Sequence, residues 1–418
     1  MILEVQKKRK FLIYILTIAL LMGCKEKRDT LLREGVWRGE FLFHEEKVPF
    51  LFEVSRELSG PLNIDFINGT EHARYTGVTI ERDSIVIPLD LYDSYLIGLS
   101  DGQFLKGYYR RNNSPARAIP FEASYGKTHR FEVTGDKTSV DLSGSWDVAI
   151  TNESDTSADH TVGLFEQRNG QLTGTIMTIT GDYRYLAGEV DKNQILLSGF
   201  SGSSPRLIKA TLIDENNFEG ELIGFTSRSK LTGKRNSAAK LPDAYKLTYL
   251  KDSVQKFNFT FPDLNGKPVS LTDGKYRDKV VIVTILGSWC PNCIDETAFL
   301  ASWYKENSDR GVEIIGLAFE RKDDLAFAKE RLGTLISRFD VKYDILFAGK
   351  ADKKVASEKL PQLNAVLSFP TTILIDKKGK VRKIHTGFTG PATGKYYESF
   401  KEEFADEITN LLNEAGSI

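Results

Sequence analysis

The sequence predicts an α/β domain at the C-terminus, preceded by an all-β region that we expect to form two small antiparallel domains of the barrel or sandwich type. Short β-branched and aromatic runs separated by Gly, Asn and Asp extend from Gly35 to about Arg235. Beyond residue 251, buried strands alternate with helical periodicity. A chain of 418 residues has room for two or three such domains.

The composition is that of an ordinary globular protein. The formal net charge is -1, and 27% of the residues are charged. Such a balance gives no overall basic or acidic field, which argues against nucleic acid as a partner and against disorder.

The N-terminus has the pattern of a signal peptide. The basic run Lys7–Lys10 precedes a mostly apolar run, Phe11–Met22, which is short for a membrane span. Leu21-Met22-Gly23-Cys24 resembles the lipobox of bacterial lipoproteins, although Met22 is a less usual occupant. The resemblance implies a signal over 1–23, lipid on Cys24 and a tether over 24–34. An uncleaved anchor with an ordinary cysteine is the alternative, and both place the body of the chain outside the cytoplasm.

The β-rich region is expected to divide into domains at 35–133 and 134–239, the second a repeat of the first. Its clearest strands are Phe50–Val54, Ser84–Pro88, Gly174–Thr180 and Gln194–Leu197. At an offset of about 110 residues, three segments match in order: Gly35-Val-Trp37 with Gly144-Ser-Trp146, Arg74-Tyr75 with Arg184-Tyr185, and Asp101-Gly-Gln-Phe104 with Glu215-Asn-Asn-Phe218.

The Gly-x-Trp opening of each repeat resembles the first strand of up-and-down barrels such as lipocalins and avidins. Trp37 and Trp146 would either line ligand cavities or plug one end of each barrel, and small barrels are more often filled by side chains. We find no nucleophile, base and orienting group together in this region. It is therefore interpreted as a binding, spacing or docking module.

The C-terminal domain is predicted over 251–418, in a definite order of elements. A hairpin turns at Asn265-Gly266 and precedes the buried strand Val280–Leu286. The elements that follow are a helix after Cys290, Val312–Ala318 (strand), Leu325–Phe339 (helix), Thr371–Ile375 and Lys380–Ile384 (hairpin) and Phe400–Leu412 (helix).

Two cysteines, Cys290 and Cys293, follow the buried strand directly. Pro291 suits the first turn of a helix, so Cys290 is expected at a helix N-terminus, where N–H groups and the helix dipole favour a thiolate. We predict that Cys290 is the nucleophile, that Cys293 is the resolving thiol, and that the two form a redox-active disulfide.

Other uses of this pair are less consistent with the sequence. Zinc requires four ligands, but the third cysteine of the chain is Cys24 and the five histidines have no ligand spacing. A structural disulfide across two residues closes too small a loop to stabilise the fold much. We therefore predict no metal and no cofactor.

Several segments of the C-terminal domain resemble the TlpA/ResA-like thioredoxin family of exported disulfide reductases, over about 40% of the chain. The matching segments are Phe257–Lys267, Trp289-Cys-x-x-Cys293, Glu296, Phe369-Pro-Thr-Thr372 and Ile375-Asp-Lys-Lys-Gly379. The resemblance implies a thioredoxin fold, client protein disulfides as substrates and a membrane thiol as electron donor.

The resemblance also implies roles for single residues. Pro370 would follow a cis peptide bond and face the cysteines, with Phe369, Thr371 and Trp289 contacting the client. Glu296 would tune or relay protons, or alternatively only complement the helix N-terminus. Two positions depart from the family pattern, Thr284 in place of Asn and Ala298 in place of Pro.

We therefore expect an exported, lipid-anchored thiol-disulfide oxidoreductase of the disulfide reductase type, facing the periplasm from the outer membrane. A ligand- or partner-binding lipoprotein with a redox-sensitive dock is one alternative. A thiol peroxidase is another, although such enzymes typically carry Thr three residues before the reactive cysteine, where this chain has Gly287.

Overall fold

The computed structural model describes residues 31–57, 60–112, 114–134, 140–152, 158–252, 254 and 256–415. The predicted signal peptide and Cys24 lie outside the described residues, as does the predicted tether up to residue 30. The chain divides into two compact units. Of the described residues, the first unit contains those up to Asp90 together with Ser94–Glu132 and Phe200–Pro205, and the second contains those of Leu91–Asp93 and Val133–Gly199 and those from Arg206 onward.

The first unit is an open antiparallel half-barrel. Its sheet has the order β4-β3-β2-β1-β9-β8-β7-β6-β5, so β1 pairs with β9 but the two outer strands, β4 and β5, are not paired with each other. The strands are β1 (Gly35–Phe43), β2 (Glu46–Arg56), β3 (Leu62–Asn68), β4 (Glu71–Tyr75), β5 (Thr79–Glu81), β6 (Ser84–Leu89), β7 (Ser94–Ser100), β8 (Phe104–Arg111) and β9 (Ser114–Tyr125).

Phe200 lies in the aromatic core of this unit. Its ring centroid is 4.7 Å from that of Phe41, 4.9 Å from Phe66 and 5.7 Å from Tyr109. The Asn68 side chain accepts from the Phe200 N–H at 3.2 Å and donates to its carbonyl at 3.0 Å. The interior of the half-barrel is thus filled by the chain's own side chains.

The N-terminal part of the second unit is a closed barrel of eight strands, because β11 pairs with both β10 and β12. The two-residue strand β13 adds to β12 outside this ring. The strands are β10 (Gly144–Asn152), β11 (Ala158–Arg168), β12 (Gln171–Thr178), β13 (Gly181–Asp182), β14 (Leu186–Asp191), β15 (Gln194–Gly199), β16 (Arg206–Asp214), β17 (Asn217–Gly224) and β18 (Ser227–Arg235).

The two Gly-x-Trp openings have the same local geometry. Gly35 and Gly144 have positive φ angles of 119° and 114°. The indole N–H of Trp37 donates to the Arg33 carbonyl at 2.9 Å, and that of Trp146 donates to the Leu142 carbonyl at 3.0 Å. Both tryptophans are completely buried, so they are core residues. The two β regions differ in closure, since the first is open and the second closed.

The C-terminal part of the second unit has a thioredoxin fold, as the sequence predicted. Its five-stranded sheet has the order β23-β22-β21-β24-β25. The strands β21, β22 and β23 pair in parallel, β24 is antiparallel to β21, and β25 is antiparallel to β24. A small hairpin, β19 (Thr260–Pro262) and β20 (Pro268–Ser270), precedes it. The sheet strands are β21 (Val280–Leu286), β22 (Val312–Glu320), β23 (Asp344–Lys350), β24 (Thr371–Ile375) and β25 (Val381–Thr386), and the helices are α1 (Pro291–Asn307), α2 (Leu325–Phe339), α3 (Lys353–Lys359) and α4 (Lys395–Asn413).

The predicted central strand is buried along its whole length, since every residue of β21 is buried. A run of β-branched and apolar side chains has this pattern when both faces of a parallel strand are covered. β23 and α3 were not assigned from the sequence. No helix among the described residues is both long and apolar enough to cross a membrane.

Candidate active site

The turn between β21 and α1 leaves no room for a side chain at Gly287. A Cβ there would lie 2.8 Å from the Phe319 carbonyl oxygen and 2.3 Å from the indole nitrogen of Trp289. The Trp289 N–H donates to that same carbonyl at 2.9 Å. The Cys290 N–H then donates to the Gly287 carbonyl at 3.1 Å. The small residue therefore lets the chain turn sharply and brings Cys290 to the start of the helix.

Cys290 is the N-cap of α1, as predicted. Its backbone is extended (φ -96°, ψ 119°), and its Sγ accepts from the Cys293 N–H at 3.4 Å. Both cysteines are free thiols and both are buried, with Cys290 6% and Cys293 1% exposed. A sulfur that receives a first-turn N–H at the positive end of a helix is in a favourable place for negative charge.

Cys293 lies deeper than Cys290 and is harder to ionise. Burial raises the pKa of the Cys293 thiol well above its ordinary value, and the neighbouring Cys290 sulfur and the Glu296 carboxylate raise it further. The two thiols of the pair thus have different environments.

The Phe369–Pro370 segment faces Cys290. The Phe369–Pro370 peptide bond is cis, and the Cys290 thiol donates to the Phe369 carbonyl at 3.2 Å. The Phe369 N–H donates to no group among the described residues. The Pro370 carbonyl accepts from the Gly387 N–H at 2.9 Å. Phe369 is therefore the residue of this segment that offers backbone groups beside the sulfur.

Thr371 follows Pro370 and is the first residue of β24. Its side chain is completely buried, and its hydroxyl donates to the Ser368 carbonyl at 2.9 Å. We therefore interpret Thr371 as a support for the Phe369–Pro370 segment rather than a residue that contacts a client directly.

Trp289 lies in the turn between β21 and α1 and packs against this segment. Its ring lies 5.6 Å from that of Phe369, edge to face, and the guanidinium carbon of Arg321 lies 5.8 Å from the Trp289 ring. Trp289 and Phe369 thus form one apolar border beside Cys290.

Glu296 lies on α1, three residues after Cys293, and is buried with only 3% of its surface exposed. Its two carboxyl oxygens accept from the hydroxyls of Thr284 at 2.5 Å and Thr372 at 2.6 Å. Burial raises the pKa of Glu296 to about 7, although the two hydroxyl groups partly oppose this shift. Glu296 therefore changes its protonation state close to neutral pH.

Thr284 is one of the two positions that depart from the family pattern, and here it holds Glu296 directly. Sequence reasoning missed its partner Thr372. The two threonines face each other across β21 and β24. The available signal was a hydroxyl side chain within each of two apolar strands.

A second buried carboxylate, Glu320, was also missed. It is 1% exposed and accepts from the Ser288 N–H and the Ser288 hydroxyl, both at 2.8 Å. Burial raises the pKa of Glu320. Glu320 thus fixes the residue two positions before Cys290. The signal was an acidic residue that directly follows the apolar run Ile314–Phe319.

Among the described residues, no cluster of three or more His, Cys, Asp or Glu side chains has the arrangement of a metal site. Cys290 is instead hydrogen-bonded to the Cys293 N–H and the Phe369 carbonyl, and Glu296 to the Thr284 and Thr372 hydroxyls.

Comparison with known proteins places the C-terminal part of the chain in a family. A profile of the AhpC/TSA family matches residues 253–384. The thiol-disulfide oxidoreductase ResA of Geobacillus thermodenitrificans is 31% identical over 145 residues, which are 34% of this chain and 75% of that protein. ResA of Bacillus thuringiensis subspecies konkukian is 32% identical over 124 residues, which are 30% of this chain and 63% of that protein. The chain thus spans somewhat less than two thirds of this second relative.

A solved structure of a thiol:disulfide interchange protein of the thioredoxin family from Chlorobium tepidum is 20% identical, covers 38% of this chain and 95% of its own, and has a TM-score of 0.29. All of these matches cover at most about two fifths of the chain. The chain therefore belongs, through its C-terminal part, to the TlpA/ResA-like thioredoxin-fold family that includes the thiol-disulfide oxidoreductase ResA.

Proposed function

We propose that the protein is a thiol-disulfide oxidoreductase that reduces disulfides of client proteins. The observation that carries this proposal is the position of Cys290, which lies at the N-terminus of α1 with its sulfur 3.4 Å from the Cys293 nitrogen. The same sulfur is 3.2 Å from the Phe369 carbonyl oxygen. These distances support a nucleophilic role for Cys290, a resolving role for Cys293 and a peptide-binding role for the Phe369 backbone.

In the first step, the Cys290 thiolate attacks one sulfur of a client disulfide. A bond forms between Cys290 and the client, the client disulfide breaks, and one client thiolate leaves and takes a proton. Negative charge on Cys290 before the attack is stabilised by the first-turn N–H groups of α1.

In the second step, Cys293 loses its proton and its sulfur attacks the Cys290 sulfur of the mixed disulfide, so that the bond between Cys290 and the client breaks and the client thiolate leaves and takes a proton. The products are the Cys290–Cys293 disulfide and the second client thiol, so two electrons pass from the protein to the client. Glu296 shares a helix face with Cys293, three residues away, and is the proposed proton acceptor because its pKa of about 7 matches neutral conditions.

The client would dock as an extended segment along Phe369. Its backbone can accept from the Phe369 N–H and donate to the Phe369 carbonyl, as in the addition of a strand to a sheet edge. Trp289 and Phe369 supply apolar contacts next to these groups.

We propose an exported, lipid-anchored protein, supported by the signal peptide pattern and by Cys24 in a lipobox-like segment. Lipid on Cys24 would leave the chain with two free thiols, those of Cys290 and Cys293. Outside the reducing cytosol, return to the dithiol requires an electron supply, which we assign to a thiol donor in the membrane.

Insulin reduction with dithiothreitol as electron source tests this function. We expect the wild-type protein to accelerate the reaction, Cys290→Ser to abolish the acceleration, and Cys24→Ser to retain it as the matched control. Equal rates for wild type and Cys290→Ser would contradict the proposal. Consumption of hydrogen peroxide at a comparable rate would instead support a thiol peroxidase.

A further inference from the structure

A short segment of the closed β-barrel reaches the surroundings of the two cysteines. This segment, Ile179–Arg184, follows β12 and includes β13, and we call it the strap. It contacts the Pro291-Asn292 dipeptide between the cysteines, Asp295 on α1, Ser368 before the Phe369–Pro370 segment, and the loop after β25. The barrel therefore borders the site that the proposed function uses.

The strap is joined to α1 by an ion pair. The Arg184 guanidinium donates to the Asp295 carboxylate at 2.5 Å, and both side chains are 15% exposed. The same Arg184 nitrogen lies 3.4 Å from the Pro291 carbonyl oxygen. An arginine–carboxylate pair that is largely removed from solvent holds its two elements in a defined geometry.

The strap also packs directly on the dipeptide between the cysteines. A Cβ on Gly181 would lie 2.0 Å from the Asn292 side-chain nitrogen, so the strap backbone and Asn292 are as close as the absence of a side chain permits. Close approach of this kind is a position where glycine is required.

Three further contacts link the strap to Ser368 and to the loop after β25. The Ser368 hydroxyl donates to the Thr180 carbonyl at 3.1 Å. The Gly390 N–H donates to the buried carboxylate of Asp182 at 2.8 Å. A Cβ on Gly387 would lie 2.9 Å from the Ile179 carbonyl oxygen. These contacts involve Ser368, two residues before Pro370, and Gly387, whose N–H donates to the Pro370 carbonyl.

The conformation of the strap is itself unusual. Gly181 has φ of 142°, and Arg184 has φ of 58°, a left-handed conformation that is uncommon for a residue other than Gly, Asn or Asp. Such backbone persists where surrounding contacts determine it.

We propose that the strap is a wall of the client-binding groove and that it determines which disulfides reach Cys290. The inference rests on the proposed function, because it takes Cys290 and Phe369 as the docking point. With the strap in place on the Asn292 and Ser368 sides, the preferred client is a flexible, extended peptide segment that enters along Trp289. Disulfides within bulky folded surfaces are excluded by the wall.

Two substitutions loosen the strap by different means. Arg184→Ala removes its ion pair with Asp295, and Gly181→Ala introduces a clash with Asn292. Their matched controls lie in the same barrel. Arg168→Ala removes an exposed arginine paired with Glu166, and Gly170→Ala changes a glycine of positive φ with open space around its Cβ. A thermal melt of each variant verifies folding.

The measurement is kcat/KM for insulin relative to kcat/KM for a small aromatic disulfide, 5,5′-dithiobis(2-nitrobenzoate). We expect each strap variant to raise this ratio by about threefold or more, because a displaced strap lets the larger substrate reach Cys290 more easily. The two controls should leave it unchanged. An unchanged ratio in both folded strap variants overturns the proposal, including the case in which kcat/KM changes equally for both substrates.

Alkylation separates this proposal from the proposed function. In a Cys293→Ser background, Cys290 is alkylated with iodoacetamide or with a polyethylene-glycol maleimide, and labelling of Cys24 is subtracted with the Cys290→Ser/Cys293→Ser variant. Strap variants should raise the rate with the bulky reagent relative to the small one by about threefold or more. This readout needs no catalysis, so a protein without reductase activity still shows whether the strap controls access.

Discussion

The Glu296→Gln substitution is expected to flatten the pH dependence of unfolding of the thioredoxin part. The pKa of Glu296 is raised from 4.5 to about 7 in the folded protein because the carboxyl is buried. A difference of that size corresponds to about 3 kcal/mol at 1.36 kcal/mol per pKa unit. Gln has nearly the same shape and does not titrate.

The direction of the effect follows from the raised pKa. Between about pH 4.5 and 7 the folded state holds the Glu296 proton while the unfolded state has lost it. The free energy of unfolding of the wild type therefore falls as the pH rises through this window, and the loss is complete above pH 8. The Gln variant lacks this contribution, so its stability relative to wild type rises by about 3 kcal/mol between pH 4 and pH 8.

The free energy of unfolding is measured by urea unfolding at a series of pH values. At each urea concentration, pulse-labelling hydrogen exchange of β21 peptides reports the unfolded fraction. The peptides report on the thioredoxin part alone, which matters in a chain of several domains. A reductant keeps both cysteines as thiols throughout. Glu306→Gln, at an exposed position on the same helix, is the matched control.

Parallel stability curves for wild type and Glu296→Gln would refute the reasoning. They would mean that Glu296 ionises in the folded protein as it does in the unfolded chain. Its assignment as the proton acceptor for Cys293 would then lose its physical basis.

Three further substitutions test other parts of the structure. Thr372→Val removes a hydroxyl that lowers the Glu296 pKa, so this pKa should rise, as measured by carbon NMR of the labelled carboxyl. Glu320→Ala leaves the buried Ser288 groups without their acceptor and should cost about 1–3 kcal/mol in urea unfolding, with Glu320→Gln costing less. Phe200→Ala should destabilise the half-barrel by about 3–5 kcal/mol while the initial rate of insulin reduction at low temperature stays unchanged.

The thioredoxin part was predictable because its signals are local. The apolar run of β21, the proline after Cys290 and the periodicity of α1 each define an element without reference to distant residues. The pairing of Glu296 with Thr284 and Thr372 was not predictable in the same way, since it depends on the register between β21 and β24. Hydroxyl side chains within apolar strands indicate only that some buried polar partner exists.

The sequence predicted that the β-rich part is all-β, but it did not predict whether each sheet closes into a barrel. The two Gly-x-Trp segments indicated similar starts, and both have the same indole hydrogen bond. That the first sheet stays open depends on the pairing of its outermost strands, β4 and β5, which no short pattern encodes. The packing of Phe200 against Phe41 joins residues far apart in the chain, so periodicity gave no indication of it.

The contacts of the strap at the site were also not predictable from local sequence patterns. Arg184 was noticed in the sequence as a match to Arg74 in the repeat. In the structure Arg74 pairs with Asp65 within its own sheet, whereas Arg184 pairs with Asp295 next to the cysteines. Equivalent positions in a repeat can thus acquire different partners, and only the three-dimensional structure distinguishes them.

Trapping of the reaction intermediate tests the central claim most directly. The Cys293→Ser variant is mixed with an oxidised client peptide, and the product is digested without reduction and mapped by mass spectrometry. We predict a mixed disulfide between the client and Cys290, and little or no adduct when Cys290→Ser is treated in the same way. A client attached equally well to Cys293 in the Cys290→Ser variant, or no adduct at Cys290, would contradict the assignment of Cys290 as the nucleophile.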